Sequence, residues 1–148
     1  MYRNILVPIE GSDTAQRGLD EAIALAKSLR SRIRLLHVID ESQLLSPLAM
    51  GTSFELIFEQ VRNYGTSILR AAATSVRGSG IEVETQLIEA NGGLAGEHIL
   101  GEAAAWPADL IVCGTHGRRG VRRIVMGSDA EYVVRQSSAP VLLVRARA

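Results

Sequence analysis

The sequence predicts a single doubly wound α/β domain of Rossmann-like type, a five-stranded parallel sheet with helices on both faces, and three observations carry that prediction. Five short runs rich in β-branched and aliphatic residues recur along the 148 residues, each bounded by turn residues. Stretches with helical periodicity separate these runs, as the right-handed crossovers between parallel strands require. Three of the runs end at Pro8 to Ser12, His37 to Asp40 and Gly114. In such sheets ligands lie outside the carboxyl ends of the strands, where strand order reverses, so the three turns can share one crevice.

Asn4 to Ile9, NILVPI, reads as a strand buried on both faces. Pro8 donates no hydrogen bond to a sheet and therefore marks the strand's end, where a ligand can approach. Ser12 or Asp13 caps a helix whose apolar positions, Ala15, Leu19, Ala22, Ile23, Ala26 and Leu29, recur at three and four. Ile33 to Ile39 is the second strand, with His37 at its end. Asp40 to Thr52 has no periodicity, contains Pro47 and Gly51, and reads as a surface excursion. From Phe54 a helical pattern runs through Ile57, Val61, Gly65 and Leu69 until Gly78 and Gly80 stop it.

Ile81 to Ile88 alternates apolar and polar residues at its start, the pattern of a strand near an edge of the sheet. Asn91, Gly92 and Gly93 turn the chain into a helix containing Leu94, Ile99 and Ala103, which closes before Pro107. Asp109 to Cys113 is the fourth strand and leads into a glycine-rich loop. Ser128 to Gln136 is the last helix, and Pro140 opens a final apolar strand, Val141 to Val144.

The loop GTHGRRGVRRIVMGS, Gly114 to Ser128, reads as a phosphate cradle. Nine residues separate Gly117 from Gly127, and Ser128 with Glu131 forms the S-x-x-E pattern of a capping box at a helix start. Glycine lets backbone N–H groups approach a ligand, and a helix N-terminus adds donors and partial positive charge. Arg118, Arg119, Arg122 and Arg123 supply counter-charge. The plain alternative is a surface loop with a solvated basic face. Connections this long inside compact domains are usually functional, which favours the cradle.

Composition narrows the function classes. Hydrophobic residues make up 47% and charged residues 22%, enough for one sizeable core in one domain spanning 1–148. Lys plus Arg and Asp plus Glu are 16 each, so no global field recruits nucleic acid or an anionic membrane. The single cysteine, Cys113, excludes an internal disulfide and reads as a buried apolar residue at a strand end. No run of 18 apolar residues occurs and the first 30 residues lack a signal-peptide pattern, so the expected compartment is the cytoplasm.

Neither G-x-G-x-x-G nor G-x-x-x-x-G-K-[ST] is present, which argues against dehydrogenase and P-loop readings. The histidines, His37, His98 and His116, lack metal-ligand spacing, and no G-x-S-x-G elbow prepares a serine nucleophile. No catalytic residue is assigned. Trp106, before a proline at a helix end, reads as a packing residue.

The segments ILVPIEGS, LLHVID, DLIVCGTHGRRG and GSDAEYVVRQSSAPVLLVR together resemble the universal stress protein family over nearly the whole chain, and G-x2-G-x9-G-S is the pattern of its ATP-binding branch. The resemblance implies a sheet of order 3-2-1-4-5 and a homodimer through the last strand. It implies that Pro8 and Glu10 border ribose and base, with Glu10 standing where aspartate is usual and able to hold a magnesium ion. Val38 offers backbone contacts to adenine, Cys113 lines the base, and Gly114, Gly117, Gly127 and Ser128 form the phosphate motif beside Arg118. Asp129 departs from the small apolar residue found in some members, and its carboxylate favours the helix dipole while opposing a phosphate at the same terminus. The function implied is binding of ATP, ADP or AMP, with or without magnesium, by a stress-response regulator. The alternatives are a slow magnesium-dependent ATPase or nucleotide transferase of the same fold, and a structural homodimer that binds no nucleotide.

Overall fold

The computed structural model describes residues 1–39, 51, 53–115 and 126–145. Among them the order is β1 (Asn4–Pro8), α1 (Asp13–Leu29), β2 (Arg32–Ile39), α2 (Phe54–Gly78), β3 (Val83–Glu89), α3 (Ala95–Ala105), β4 (Leu110–Gly114), α4 (Ser128–Gln136) and β5 (Val141–Val144). All four strand pairings are parallel and the sheet order is β3-β2-β1-β4-β5. The chain therefore reverses its direction of travel across the sheet between β1 and β4. The surface excursion expected over 40–50 and at 52 lies outside the described residues.

Alternation along the strands builds two cores. Ile5, Val7, Ile9, Ile33, Leu35, Leu110 and Val112 face α1 and α2, where Leu19, Ala22, Leu69 and Val76 meet them. Leu6, Leu36 and Ile111 face α3 and α4, packing with Ile99, Ala103, Trp106 and Val133. The central strands β1 and β4 read as continuous apolar runs because both their faces are covered. β3 is an outer strand, and Thr85 and Gln86 are exposed on it.

Trp106 packs as expected, buried at 5% exposure, with the guanidinium groups of Arg32 and Arg34 lying 5.2 and 4.9 Å from its ring centre. Arg34 also pairs with Glu84 and with Glu102 at 2.5 Å. Burial disfavours the Arg34 charge, but the hydrogen bonds it donates to Glu84 and Glu102 outweigh that and raise its pKa.

Several expectations need correction. Leu94 does not lie within α3. It is the N-cap and makes no side-chain capping bond. Phe54, the first residue of the α2 pattern, is 53% exposed and stacks on Phe58 rather than on the sheet. His37 is not at the end of β2 but two residues inside it, buried, with Nδ1 2.8 Å from the Ile9 carbonyl oxygen.

Candidate functional site

The crevice is formed by the way β1 meets β4. β1 pairs with β2 along its whole length, from Asn4 with Arg32 to Pro8 with Leu36. With β4 it pairs only near the amino ends, Ile5 with Leu110 and Leu6 with Ile111. The Asp109 carboxylate closes that lower end by accepting the N–H groups of Arg3 at 2.9 Å and Asn4 at 3.1 Å. Above it the two strands lead away into separate turns, leaving an opening at their carboxyl ends.

Three residues assigned to the base have their side chains on one face of this opening. Val38 packs with the core under α3 and α4, and strand alternation puts Pro8 and Cys113 on that same face of three neighbouring strands. Pro8 ends β1, as its missing donor predicts. Cys113 is buried, and burial first, then the nearby Glu10 carboxylate, push its thiol up to about 12. It stays a neutral thiol at physiological pH and contributes shape rather than nucleophilicity.

The turn after β1 is tightly organised. Glu10 Oε1 accepts the Ser12 N–H at 3.2 Å and the Ser12 hydroxyl, and Ser12 Oγ in turn caps α1 by accepting from Ala15 N at 3.1 Å. Gly11 has φ of +91°, a left-handed conformation that favours glycine, and a Cβ there would also press on the tip of the Tyr64 side chain. Ile9 N–H donates to the Leu36 carbonyl at 2.8 Å, fixing where the turn begins.

On the far side of the crevice, Thr115 N–H donates to Val144 O at 3.0 Å and Gly127 N–H donates to Thr115 O at 2.7 Å. These bonds seat the first turn of α4 beside the end of β4. The capping box expected of Ser128 and Glu131 is not formed. Gly127 is the N-cap, Ser128 is the first helical residue, and no side chain among the described residues caps the helix. The helix begins at Ser128 as expected, but Gly127 takes the cap position, its carbonyl accepting from Glu131 N at 2.9 Å. Gly127 has φ of −60° and ψ of 151°, a conformation open to any residue, so the backbone does not itself demand glycine there.

The profile of the universal stress protein family matches residues 1–145. The chain belongs to the universal stress protein family. The universal stress protein MJ0531 of Methanocaldococcus jannaschii is 33% identical over 145 residues, covering 98% of this chain and 83% of its own length. The solved structure of the hypothetical protein MJ0577, from the same organism, aligns with a TM-score of 0.85 at 26% identity, covering 100% of this chain and 99% of that one. A universal stress protein from Archaeoglobus fulgidus, solved in complex with dAMP, shares the fold at a TM-score of 0.71 and 23% identity, with 97% and 98% covered.

Within this family frame the structure brings together Pro8, Glu10, Val38, Cys113, Gly114, Gly127 and Ser128 at the carboxyl edge. Gly117, Arg118, His116 and the remaining arginines of the glycine loop lie outside the described residues. Gly114 faces α1, not the base side. A Cβ on it would stand 2.8 Å from the Thr14 carbonyl carbon, so the glycine permits close helix-to-strand packing. Gly18 of α1 lies across the same crossing, where an added Cβ would stand 3.5 Å from Gly114 N, an ordinary contact that does not itself demand glycine. Sequence reasoning passed over Gly18, whose signal was a glycine inside an otherwise regular amphipathic helix.

Asp129 differs most from expectation. Its Oδ1 accepts the Gly96 N–H at 3.1 Å, so the carboxylate in the first turn of α4 also bonds the start of α3. A concavity of about 360 Å³ also lies between α1 and α2, lined by Gly11, Ala15, Leu19, Ile68 and Ala72. It shares the turn after β1 with the crevice but opens on the opposite face of the sheet.

Proposed function

We propose that this universal stress protein binds an adenine nucleotide across the β1 and β4 carboxyl ends and acts as a nucleotide-dependent regulatory binding protein in the cytoplasm. The observation that carries the reading is the start of α4. It is a helix terminus seated at the strand reversal, with an exposed first residue, Ser128, no side-chain cap among the described residues, and a glycine before it that its own backbone does not require. Pro8, Val38 and Cys113 would border the base, and Glu10 the ribose. The Gly114-to-Ser128 loop, with Gly117, Arg118, Gly127 and Ser128, would hold the phosphates. The dAMP complex of the Archaeoglobus fulgidus protein supports the choice of adenine.

Among the described residues no three His, Cys, Asp or Glu side chains gather into a metal site. A magnesium ion would therefore be held by Glu10 together with phosphate oxygens and water, a common arrangement for nucleotide-bound magnesium. No helix among the described residues is long and apolar enough to cross a membrane. We also propose a homodimer through β5, because an apolar outer strand, Val141–Val144, is an edge that pairing with a second copy would cover.

Calorimetry with ATP, AMP and GTP tests the reading. Binding of the adenine nucleotides with GTP weaker is the expected result. Absence of both heat and thermal shift with all three would favour the structural dimer that binds no nucleotide.

A further inference from the structure

Resting on that reading, we propose that Asp129 and Gly96 form a tether that positions the α4 terminus for phosphate, so that α3 helps to set nucleotide affinity. The chain enters α3 through Gly92 and Gly93, with φ of +92° and +84°. The N-cap, Leu94, is 49% exposed; its carbonyl accepts the Glu97 amide at 3.0 Å, but its side chain carries no acceptor for the other amides of the first turn. The Gly96 amide instead donates to Asp129 Oδ1, 33 residues later, at 3.1 Å. Asp129 is the second residue of α4. One carboxylate thus lies against two helix N-termini, and both partial positive ends favour it there.

A second, steric contact fixes the same junction. A Cβ on Gly96 would stand 2.8 Å from Tyr132 Cδ1 and 3.1 Å from Tyr132 Cβ. Those atoms are close to the α4 backbone, so a methyl group would displace the helix and not merely a side-chain tip. Tyr132 follows Asp129 by three residues and therefore shares its helix face. With Gly127 N–H bonded to Thr115 O, these contacts define both the height and the rotation of the first α4 turn. The amides offered to phosphate belong to that turn.

A cap that serves only to stabilise α3 would make the same hydrogen bond, so the experiment must separate position from stability. Thermal midpoints and dissociation constants for ATP and AMP are measured for wild type, Gly96→Ala, Asp129→Ala, Asp129→Asn and the double variant Asp129→Ala with Leu94→Ser. Gly96→Ala leaves every charge in place and should weaken both nucleotides about fivefold or more, as should Asp129→Ala, since a hydrogen bond to a charged group is lost or strained. Asp129→Asn keeps an acceptor and should stay within about twofold of wild type. Leu94→Ser gives α3 its own cap and should restore the thermal midpoint of Asp129→Ala without restoring affinity. Recovery of affinity along with stability, or wild-type affinity in Gly96→Ala, would overturn the tether. Asp129→Asn binding as weakly as Asp129→Ala would assign the effect to charge and overturn it equally. A wild-type protein that binds neither nucleotide would overturn the functional reading itself, whereas variants equal to a wild type that binds would overturn the tether alone.

Discussion

Replacing Gly114 with alanine distinguishes two reasons for a glycine at the end of β4. The added Cβ would stand 2.8 Å from the Thr14 carbonyl carbon and 2.9 Å from its oxygen. Non-bonded carbons rest about 3.5–4.0 Å apart, so the gap is short by roughly 0.7 Å or more. The obstruction is backbone and cannot rotate aside, so the first turn of α1 must shift. Overpacking of this kind costs about 1–3 kcal/mol. A chain of this size loses about 2–4 °C per kcal/mol, so the middle of that range gives a fall of about 4–8 °C in thermal midpoint. Scanning calorimetry should show the fall without nucleotide, because the contact belongs to the folded chain. ATP affinity should drop as well, since Ser12 and the Glu10 turn move with α1. A midpoint within about 1 °C of wild type, combined with lost ATP binding, would refute the packing argument and leave phosphate approach as the reason for the glycine.

The proposed β5 dimer predicts that Leu143→Lys yields a monomer by light scattering at concentrations where wild type is dimeric, and a monomeric wild type at high micromolar concentration would remove the idea. A binding protein without an evident base for water should release phosphate at about one turnover per minute or slower under single-turnover conditions, against ~10 per second for a typical enzyme. A magnesium-dependent rate near about one per second, abolished by Glu10→Gln, would instead establish the ATPase alternative. At the other end of the sheet, hydrogen bonding from Arg34 holds the Glu84 carboxyl below its usual range. Its contribution to stability is fully present above the unfolded carboxylate value of about 4.3 and is lost as pH falls through the lower folded value. Glu84→Gln should therefore lie below wild type in thermal midpoint at neutral pH and converge with it in acid. Curves that stay parallel down to about pH 3 would count against this pairing.

Most of the fold was legible because its signals are local. Runs such as ILVP and LIVC, buried on both faces, announce central strands; the outer strand was expected from Ile81 but begins at Val83, and its burial does not alternate residue by residue. The helix Ser128–Gln136 was bounded correctly, yet its cap was misread, because S-x-x-E records only what neighbouring residues can do. Gly127, the actual cap, is also bonded to Thr115, a contact that no local pattern contains. Gly114 was legible as a position intolerant of a side chain, but whether backbone or ligand excludes the side chain depends on Thr14, a hundred residues away. Asp129 and Gly96 meet for the same kind of reason, through the packing of α3 on α4. The pairing of Arg34 with Glu84 and Glu102 likewise joins three elements that sequence periodicity treats separately.

The lower edge of the sheet is stapled by Asp109 to Arg3 and Asn4, by Arg32 Nε to Asn4 Oδ1 at 2.8 Å, and by the arginine pair over Trp106. Nothing comparable joins β1 to β4 above Leu6 among the pairings of the described residues. Local opening begins where interlocking contacts are fewest, so amide hydrogens of Ile5, Leu6 and Ile111 should outlast those of the turns after Pro8 and Gly114 in exchange with solvent. Ligand free energy delivered at the carboxyl edge then falls on the segment with the most motion left to lose. Occupancy would be readable as a change in exchange protection and protease resistance around the crevice, while the stapled edge reports the same rates with or without ligand.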